Sequence, residues 1–170
     1  FRSLPDYASS FETGEIYNNR CSYLMLPALY DTLMNDDQRR SLLELSMSYC
    51  DTGIAVYRNW ISEWGSLAEE SVRTEIKKFM VRDDPAFNGY RYDRILERRV
   101  GNIVLAQKET PRRLSVSYTN KGTIYRHLGL GDSAGFYLQK ALQLWKENTV
   151  AESNLSVLMG GEPVKPGLIR

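Results

Sequence analysis

Apolar side chains recur along most of the chain with the three- and four-residue spacing of an α-helix, from about Ile16 onward. The clearest case is a stripe from Leu43 to Trp64, in which apolar residues are separated alternately by four and three positions. Trp60 lies at the border of this stripe, and both tryptophans are predicted to pack in the core. Segments that alternate apolar and polar residues between turn signals, as half-buried strands require, are absent from the sequence. The pattern predicts an all-α protein.

Turn and capping signals divide this pattern into seven predicted helices within one domain that covers residues 1–170. The predicted helices lie at about residues 15–34, 38–64, 66–81, 84–107, 111–128, 132–147 and 150–159. Residues 1–14 are predicted to be irregular, and residues 160–170 are predicted to form a tail. Pro27 removes a hydrogen bond inside the first helix, so we expect a kink or a restart there.

Several helix starts are predicted from individual residues. Ser66 and Glu69 have the spacing of a capping box, in which each side chain bonds the backbone of the other. Asp84–Pro85 and Thr110–Pro111 each combine an N-cap residue with a proline suited to the first helical position. Asp132 is predicted to cap the sixth helix. We therefore expect separate helices before and after Thr110.

A repeat-like spacing occurs between residues 115 and 148, where small, aromatic and large apolar residues are separated by 3, 9, 4 and 3 positions. These residues are Gly122, Tyr125, Ala134, Leu138 and Ala141. The segment resembles the tetratricopeptide repeat, in which small residues let two antiparallel helices cross closely. Lys121 stands where that family prefers leucine, and Lys146 stands where it commonly has proline.

The resemblance implies an all-α array of antiparallel helical hairpins of the α-solenoid type. Residues 111–159 would form a repeat-like hairpin plus a capping helix, and residues 15–110 a helical bundle of degenerate repeats or a cap. A ligand groove would be lined by the first helix of the repeat. The residues exposed there would be Val116, Thr119, Asn120, Thr123, Arg126 and His127.

Within that implied groove, Arg126 and Asn120 are expected to hold a carboxylate or the backbone of a peptide. We therefore expect a non-catalytic protein–protein interaction module whose partner is a protein or peptide. An adaptor or assembly factor of a larger secretion, pilus or envelope machine is the role that the resemblance suggests.

The two cysteines have a symmetrical placement. Cys21 and Cys50 are equally far from the predicted turn at Asn35–Asp36, so they would lie level across an antiparallel hairpin. A disulfide there would stabilise the fold by about 3.5 kcal/mol and would indicate an extracytoplasmic compartment, periplasmic or secreted. Two buried free thiols in a cytoplasmic protein are the alternative. The disulfide requires α-carbons within about 7 Å of each other.

Positive charge is concentrated in the second part of the chain. Residues 1–76 carry 6 basic and 12 acidic side chains, whereas residues 77–170 carry 16 and 9. Three arginines with neighbouring tyrosines fall on one face of the predicted fourth helix, namely Arg91, Arg94 and Arg98. Asp93 and Glu97 interrupt this face and are expected to pair with Arg94 or Arg98. We expect the face to dock a protein; a nucleic-acid-associated helical protein is the alternative.

Catalytic and metal-binding patterns are missing from the sequence. The 170 residues contain one histidine and two widely spaced cysteines, which give no triad, zinc site or di-iron pattern. No apolar run approaches the roughly 20 residues of a membrane span. Because the first residue is Phe1 rather than methionine, we expect a mature or trimmed product. We expect no cofactor and no metal, and keep an enzyme with an unrecognised site as a third hypothesis.

Overall fold

The computed structural model describes residues 10–164, and the regular structure in that range is entirely helical, as the sequence predicts. Residues 1–9 and 165–170, to which parts of the predicted irregular segment and tail belong, lie outside the described residues. The helices are α1 (Phe11–Tyr30), α2 (Asp36–Trp64), α3 (Glu69–Phe79), α4 (Tyr92–His127), α5 (Gly131–Leu144) and α6 (Thr149–Leu158), with one 3₁₀ turn at Pro85–Phe87.

Helix α1 packs against α2, α5 packs against α6, and α4 contacts each of the other five helices. Three apolar clusters form the core around it. One surrounds Cys21 and Leu43 at the end of the α1–α2 hairpin, and a second surrounds Tyr57 and Leu138 where α2, α4, α5 and α6 meet. The third surrounds Trp60 where α2, α3 and the first half of α4 meet. These packed helix pairs confirm the predicted all-α array.

The prediction of separate fourth and fifth helices is wrong, because α4 is a single helix of 36 residues that contains Pro111. The proline removes one hydrogen bond and opposes the helix by about 3 kcal/mol. Ala106 and Leu114 are both buried on either side of it, and they belong to different core clusters. Burying a large apolar side chain contributes about 1.5–3 kcal/mol, so the packing on both sides outweighs the local penalty.

The first helix also differs from its predicted bounds. It begins at Phe11, where the side chain of Ser10 accepts a hydrogen bond from the Thr13 backbone, so residues 11–14 are helical and not irregular. It continues past Pro27 without a restart and ends at Tyr30. Pro27 has no amide hydrogen, so the helix lacks the bond that this position would donate to the carbonyl four residues earlier.

The capping box predicted at the start of α3 is absent. The residue at the start of α3 is Ala68, and no side chain caps this helix, so Ser66 and Glu69 do not form a capping box. The connection between α2 and α3 is instead tied to α4, because the Gln107 side-chain amide donates to the Trp64 and Leu67 carbonyls at 2.7 and 2.8 Å.

Asp84 does accept a hydrogen bond from the Ala86 backbone, but only one 3₁₀ turn follows instead of the predicted helix. Gly89, at φ +81°, lies between that turn and α4. Asp132 is also not a cap: it lies in the first turn of α5, where Leu130 occupies the cap position without a side-chain bond.

The Cys21–Cys50 disulfide is present, as the placement of the cysteines predicts, and its α-carbons are 5.3 Å apart. Both residues are fully buried. The Ser46 hydroxyl donates to the Cys21 carbonyl at 2.7 Å and thereby ties α2 to α1 at the same level. The free-thiol alternative is therefore excluded in this structure.

The two tryptophans of α2, which were both predicted to pack in the core, differ in burial. Trp60 is only 2% exposed, whereas Trp64 is partly exposed. The reason is the early start of α1, which places the Phe11 ring edge-on against Trp60 with centroids 5.5 Å apart.

The repeat-like hairpin of α4 and α5 has the close crossing that the sequence predicts. A β-carbon at Gly122 would lie 2.8 Å from Leu138 Cγ and 3.2 Å from the Ala134 carbonyl oxygen, so only glycine fits there. Tyr125 stacks on Tyr137 beside the crossing, with centroids 5.5 Å apart. Such a crossing can occur in any tight helical hairpin, and by itself it assigns no family.

Candidate partner-binding surfaces

The two threonines of the predicted groove lie in a polar network between α4 and α6. The Thr119 hydroxyl donates to the Ser115 carbonyl and accepts from the side-chain amide of Asn148, which also donates to the Ser115 hydroxyl. The Thr123 hydroxyl donates to the Thr119 carbonyl. Both threonines are buried, so the prediction that they are exposed is wrong, and Val116 is half-buried. The Thr119 hydroxyl therefore joins α4 to the start of α6, whereas the Thr123 hydroxyl bonds only within α4.

The remaining predicted groove residues separate into two places. The Asn120 side-chain amide donates to Asn18 and Ser22, so it faces α1. Arg126 and His127 meet at the end of α4, where the guanidinium and the ring nitrogen are 3.2 Å apart. Partial burial, and then the charges of the neighbouring arginines, lower the pKa of His127. Peptide binding by this set stays a prediction.

Three exposed arginines at the start of α4 form what we call the basic face: Arg91, which is the cap residue of the helix, Arg94 and Arg98. The expected pairing with Asp93 and Glu97 is wrong. Asp93 pairs with Arg82, and Glu97 pairs with Arg73 at 2.8 Å. The Arg73 guanidinium lowers the pKa of Glu97 and ties α3 to α4. Within residues 10–164 no carboxylate forms an ion pair with the basic face.

A further surface feature, which we call the Lys121 pocket, was not predicted from the sequence. It is a depression of about 240 Å³ between α2, α4 and α5. It combines cationic, aromatic and apolar side chains with a single carboxylate. Its lining residues are Asp51, Ile54, Ala55, Arg58, Tyr118, Lys121, Tyr137 and Lys140.

Lys121 forms the floor of this pocket, with a side chain that is only 9% exposed. Its ammonium group pairs with Asp51 and lies 4.5 Å from the Tyr137 ring centroid. Burial by itself lowers the pKa of Lys121, but the hydrogen bonds to Asp51 and Tyr137 and the charge of Asp51 outweigh it and raise the pKa. The buried lysine therefore stays charged at neutral pH.

Two more cations lie at the same pocket without a partner of opposite charge. The Lys140 ammonium lies 4.4 Å from the Phe136 ring centroid and 5.8 Å from that of Tyr118. Neither Lys140 nor Arg58 has an ion pair in the part of the chain that the structure describes. Three cations therefore face the one carboxylate of Asp51, and the pocket has an excess of positive charge.

The sequence contained only one signal for this pocket, the lysine at position 121 where the resembled family prefers leucine. Arg58 and Lys140 are 82 positions apart in the chain and come together only through the packing of α2 and α5 against α4. No local spacing rule connects them.

Residues 10–164 contain no cluster of three or more His, Cys, Asp or Glu side chains that could hold a metal ion. No helix in that range is long and apolar enough to cross a membrane. Comparison with known proteins found no matching family model, no matching curated protein and no matching solved structure.

Proposed function

We propose that this protein is a non-catalytic protein-interaction module and that its Lys121 pocket binds an acidic segment of a partner protein. The observation that carries the proposal is the excess of positive charge, where Lys121, Lys140 and Arg58 face the single carboxylate of Asp51. An incoming carboxylate would neutralise charge that no side chain of the described chain neutralises. Hydrogen bonds between ionised groups are about twice as strong as neutral ones, which favours such a ligand.

The shape and lining of the pocket support a peptide as the ligand. Its volume of about 240 Å³ lies below the range of roughly 300–1,000 Å³ that is usual for small-molecule and cofactor sites. One or two side chains of a longer ligand fit such a depression. The rings of Tyr118 and Tyr137 offer apolar surface beside the charges, and aromatic residues commonly carry binding energy at interfaces.

The wider role that we propose is that of an adaptor or assembly factor in an oxidising compartment. The buried Cys21–Cys50 disulfide supports this location, because such bonds persist outside the reducing cytosol. Attachment to a secretion, pilus or envelope machine is proposed from the repeat-like hairpin alone. The same hairpin supplies two helices of the Lys121 pocket.

Nuclear magnetic resonance with ¹⁵N-labelled protein tests the proposal. The ligands are pooled, end-blocked short peptides with a central glutamate, compared with pools in which glutamine replaces the glutamate. We expect saturable shifts of the Tyr118, Lys121 and Tyr137 amides with the glutamate pools only. Lys140→Gln and Arg58→Gln should each weaken binding about tenfold, because each removes one charge-assisted contact.

Lys108→Gln is the matched control, since Lys108 is an exposed lysine of α4 that does not line the pocket. It should leave the affinity unchanged, and added salt should weaken binding to the wild type. Equal shifts with the glutamine pools, shifts elsewhere on the surface, or an unchanged affinity in the Lys140 and Arg58 variants would each contradict the proposal.

A nucleic-acid-associated role is the second candidate. It is supported by the basic face of α4, whose arginines are exposed and lack a carboxylate partner among residues 10–164, and by the exposed ring of Tyr90 beside them. Phosphate groups and stacked bases are the ligands that such a surface would take.

A further inference from the structure

The end of the α1–α2 hairpin carries an open groove whose lining differs from that of the Lys121 pocket. Its volume is about 690 Å³, and its apolar lining consists of Leu33, Met34, Leu42 and Leu45. Leu33 is 94% exposed and Leu45 is 48% exposed. Exposed apolar side chains that lie together, instead of singly, commonly mark an interaction site. We call this feature the hairpin-end groove.

The loop that presents Leu33 is held in one conformation by polar contacts. The Arg39 guanidinium donates hydrogen bonds to the carbonyls of Ala28, Asp31 and Met34, which lie on both sides of Leu33. The Leu33 amide itself donates to the Asp31 carboxylate at 2.9 Å. Because the loop is already ordered, a partner that contacts Leu33 does not have to supply the free energy of ordering it.

Helix α2 begins immediately after this loop and supplies the other wall of the groove. Asn35 and Gln38 form a reciprocal capping box that fixes where the helix starts. The groove residues of α2 lie at positions 38, 41, 42 and 45, which form one helix face. That face extends over about 10 Å, or roughly two helical turns. A groove of this kind accommodates a second helix, whose own apolar residues recur at the same spacing.

The charge around the groove is negative. Asp31 and Asp37 line it, and Asp36 is exposed beside Asp37. Glu44 is paired with Arg40 at 3.1 Å, and the Arg39 cation is directed at backbone carbonyls. The helix dipole explains acids in the first turn of α2, but it gives no reason for the neighbouring leucines to be exposed. A basic partner complements the rim.

We infer that the hairpin-end groove binds an amphipathic helical segment of a partner protein, with leucine-like side chains on one face and basic residues at its flanks. The apolar lining requires an apolar face on the ligand, and the three aspartates favour basic residues beside that face. The Lys121 pocket has the opposite charge, so the two sites recognise different chemical classes of ligand.

A phage-displayed library of amphipathic helices, with a fixed leucine face and random flanking positions, tests this inference on the whole protein. We expect lysine and arginine to be enriched in the flanks. A synthetic peptide of the selected sequence should bind about tenfold more weakly to Leu33→Ser and to Leu45→Ser, which each remove one apolar contact of the groove. Leu33 is almost fully exposed, so its replacement should leave the melting temperature unchanged.

Leu105→Ser is the matched control, because Leu105 is an exposed leucine of α4 that does not line this groove, and it should leave the affinity unchanged. Lys140→Gln should also have no effect, which separates a failure here from a failure of the acidic-segment proposal. Failure to enrich any peptide, enrichment of acidic flanks, or equal binding by the Leu33 and Leu45 variants would overturn the inference. Self-association in analytical ultracentrifugation that Leu33→Ser abolishes would also overturn it, by assigning the groove to a second copy of the chain.

Discussion

Two glycines in α4 provide a direct test of the helix packing, because alanine should have opposite effects at the two positions. Gly101 is exposed, and a β-carbon there would have no neighbour within 4 Å. Gly122 is buried against α5, where a β-carbon would be 2.8 Å from Leu138 Cγ and 3.2 Å from the Ala134 carbonyl oxygen. Gly101→Ala should stabilise the protein, and Gly122→Ala should destabilise it.

The magnitudes follow from the two surroundings. Alanine is favoured over glycine inside a helix by about 1 kcal/mol. Gly101→Ala should therefore raise the free energy of unfolding by about 0.5–1 kcal/mol. Gly122→Ala has the same helical gain, but forcing a methyl group into a packed core costs about 1–3 kcal/mol. The upper part of that range applies, because Leu138 is fully buried and the backbone of Ala134 cannot move without displacing α5. We therefore expect a net loss of about 1–2 kcal/mol.

Urea denaturation followed by circular dichroism, with the disulfide intact, measures both free energies of unfolding. Equal m-values in the two variants and the wild type would show that only the stability has changed. The reasoning would be refuted if Gly122→Ala were as stabilising as Gly101→Ala, because α4 and α5 would then not cross as closely as the structure describes.

Three further outcomes are expected. The double variant Cys21→Ala/Cys50→Ala should lose about 3.5 kcal/mol of stability for a closed loop of about 30 residues, measured by denaturation without reductant; no loss would mean that the bond does not form. The pKa of His127 is lowered below its ordinary value of 6.5, so the unfolded chain binds a proton more readily than the folded protein. The contribution of neutral His127 to the free energy of unfolding should therefore be fully present above pH 6.5 and should be lost as the pH falls below it. His127→Gln should reduce that acid-side loss in thermal melts at successive pH values, and an unchanged pH profile would contradict the assignment. On a polyanion column the protein should elute without retention at about 0.15 M salt, because the proposed partner is a protein and salt screens the exposed charge of the basic face. Retention that falls steeply with salt would favour nucleic acid as the partner.

Local patterns in the sequence predicted the elements whose signals are contained within one helix or one turn. The apolar stripe of α2 and the turn at Asn35–Asp36 both follow from the local residue pattern. The disulfide was predictable for the same reason, since two residues at equal distances from a short turn lie level in an antiparallel hairpin. The small residues at positions 122 and 134 likewise indicated where α4 and α5 cross.

Proline and capping residues were less informative, because tertiary packing can outweigh a local penalty of a few kcal/mol. The core on both sides of Pro111 holds α4 in one helix, and the connection before α3 is tied by Gln107 although no capping box forms at Ser66. Phe11 covers Trp60 from a helix whose start the sequence pattern placed too late.

For the candidate binding sites as well, local sequence patterns predicted some properties and tertiary packing decided the others. The sequence alone determined that the protein is helical, that its charge is unevenly distributed and that its two cysteines can pair. Only the tertiary structure decided that Thr119 and Asn120 are engaged between helices, that Lys121 meets Arg58 and Lys140 in one pocket, and that leucines at the hairpin end stay exposed. The physical reason is that helical periodicity acts between neighbours in sequence, whereas the charge and exposure of a site depend on residues that only packing brings together.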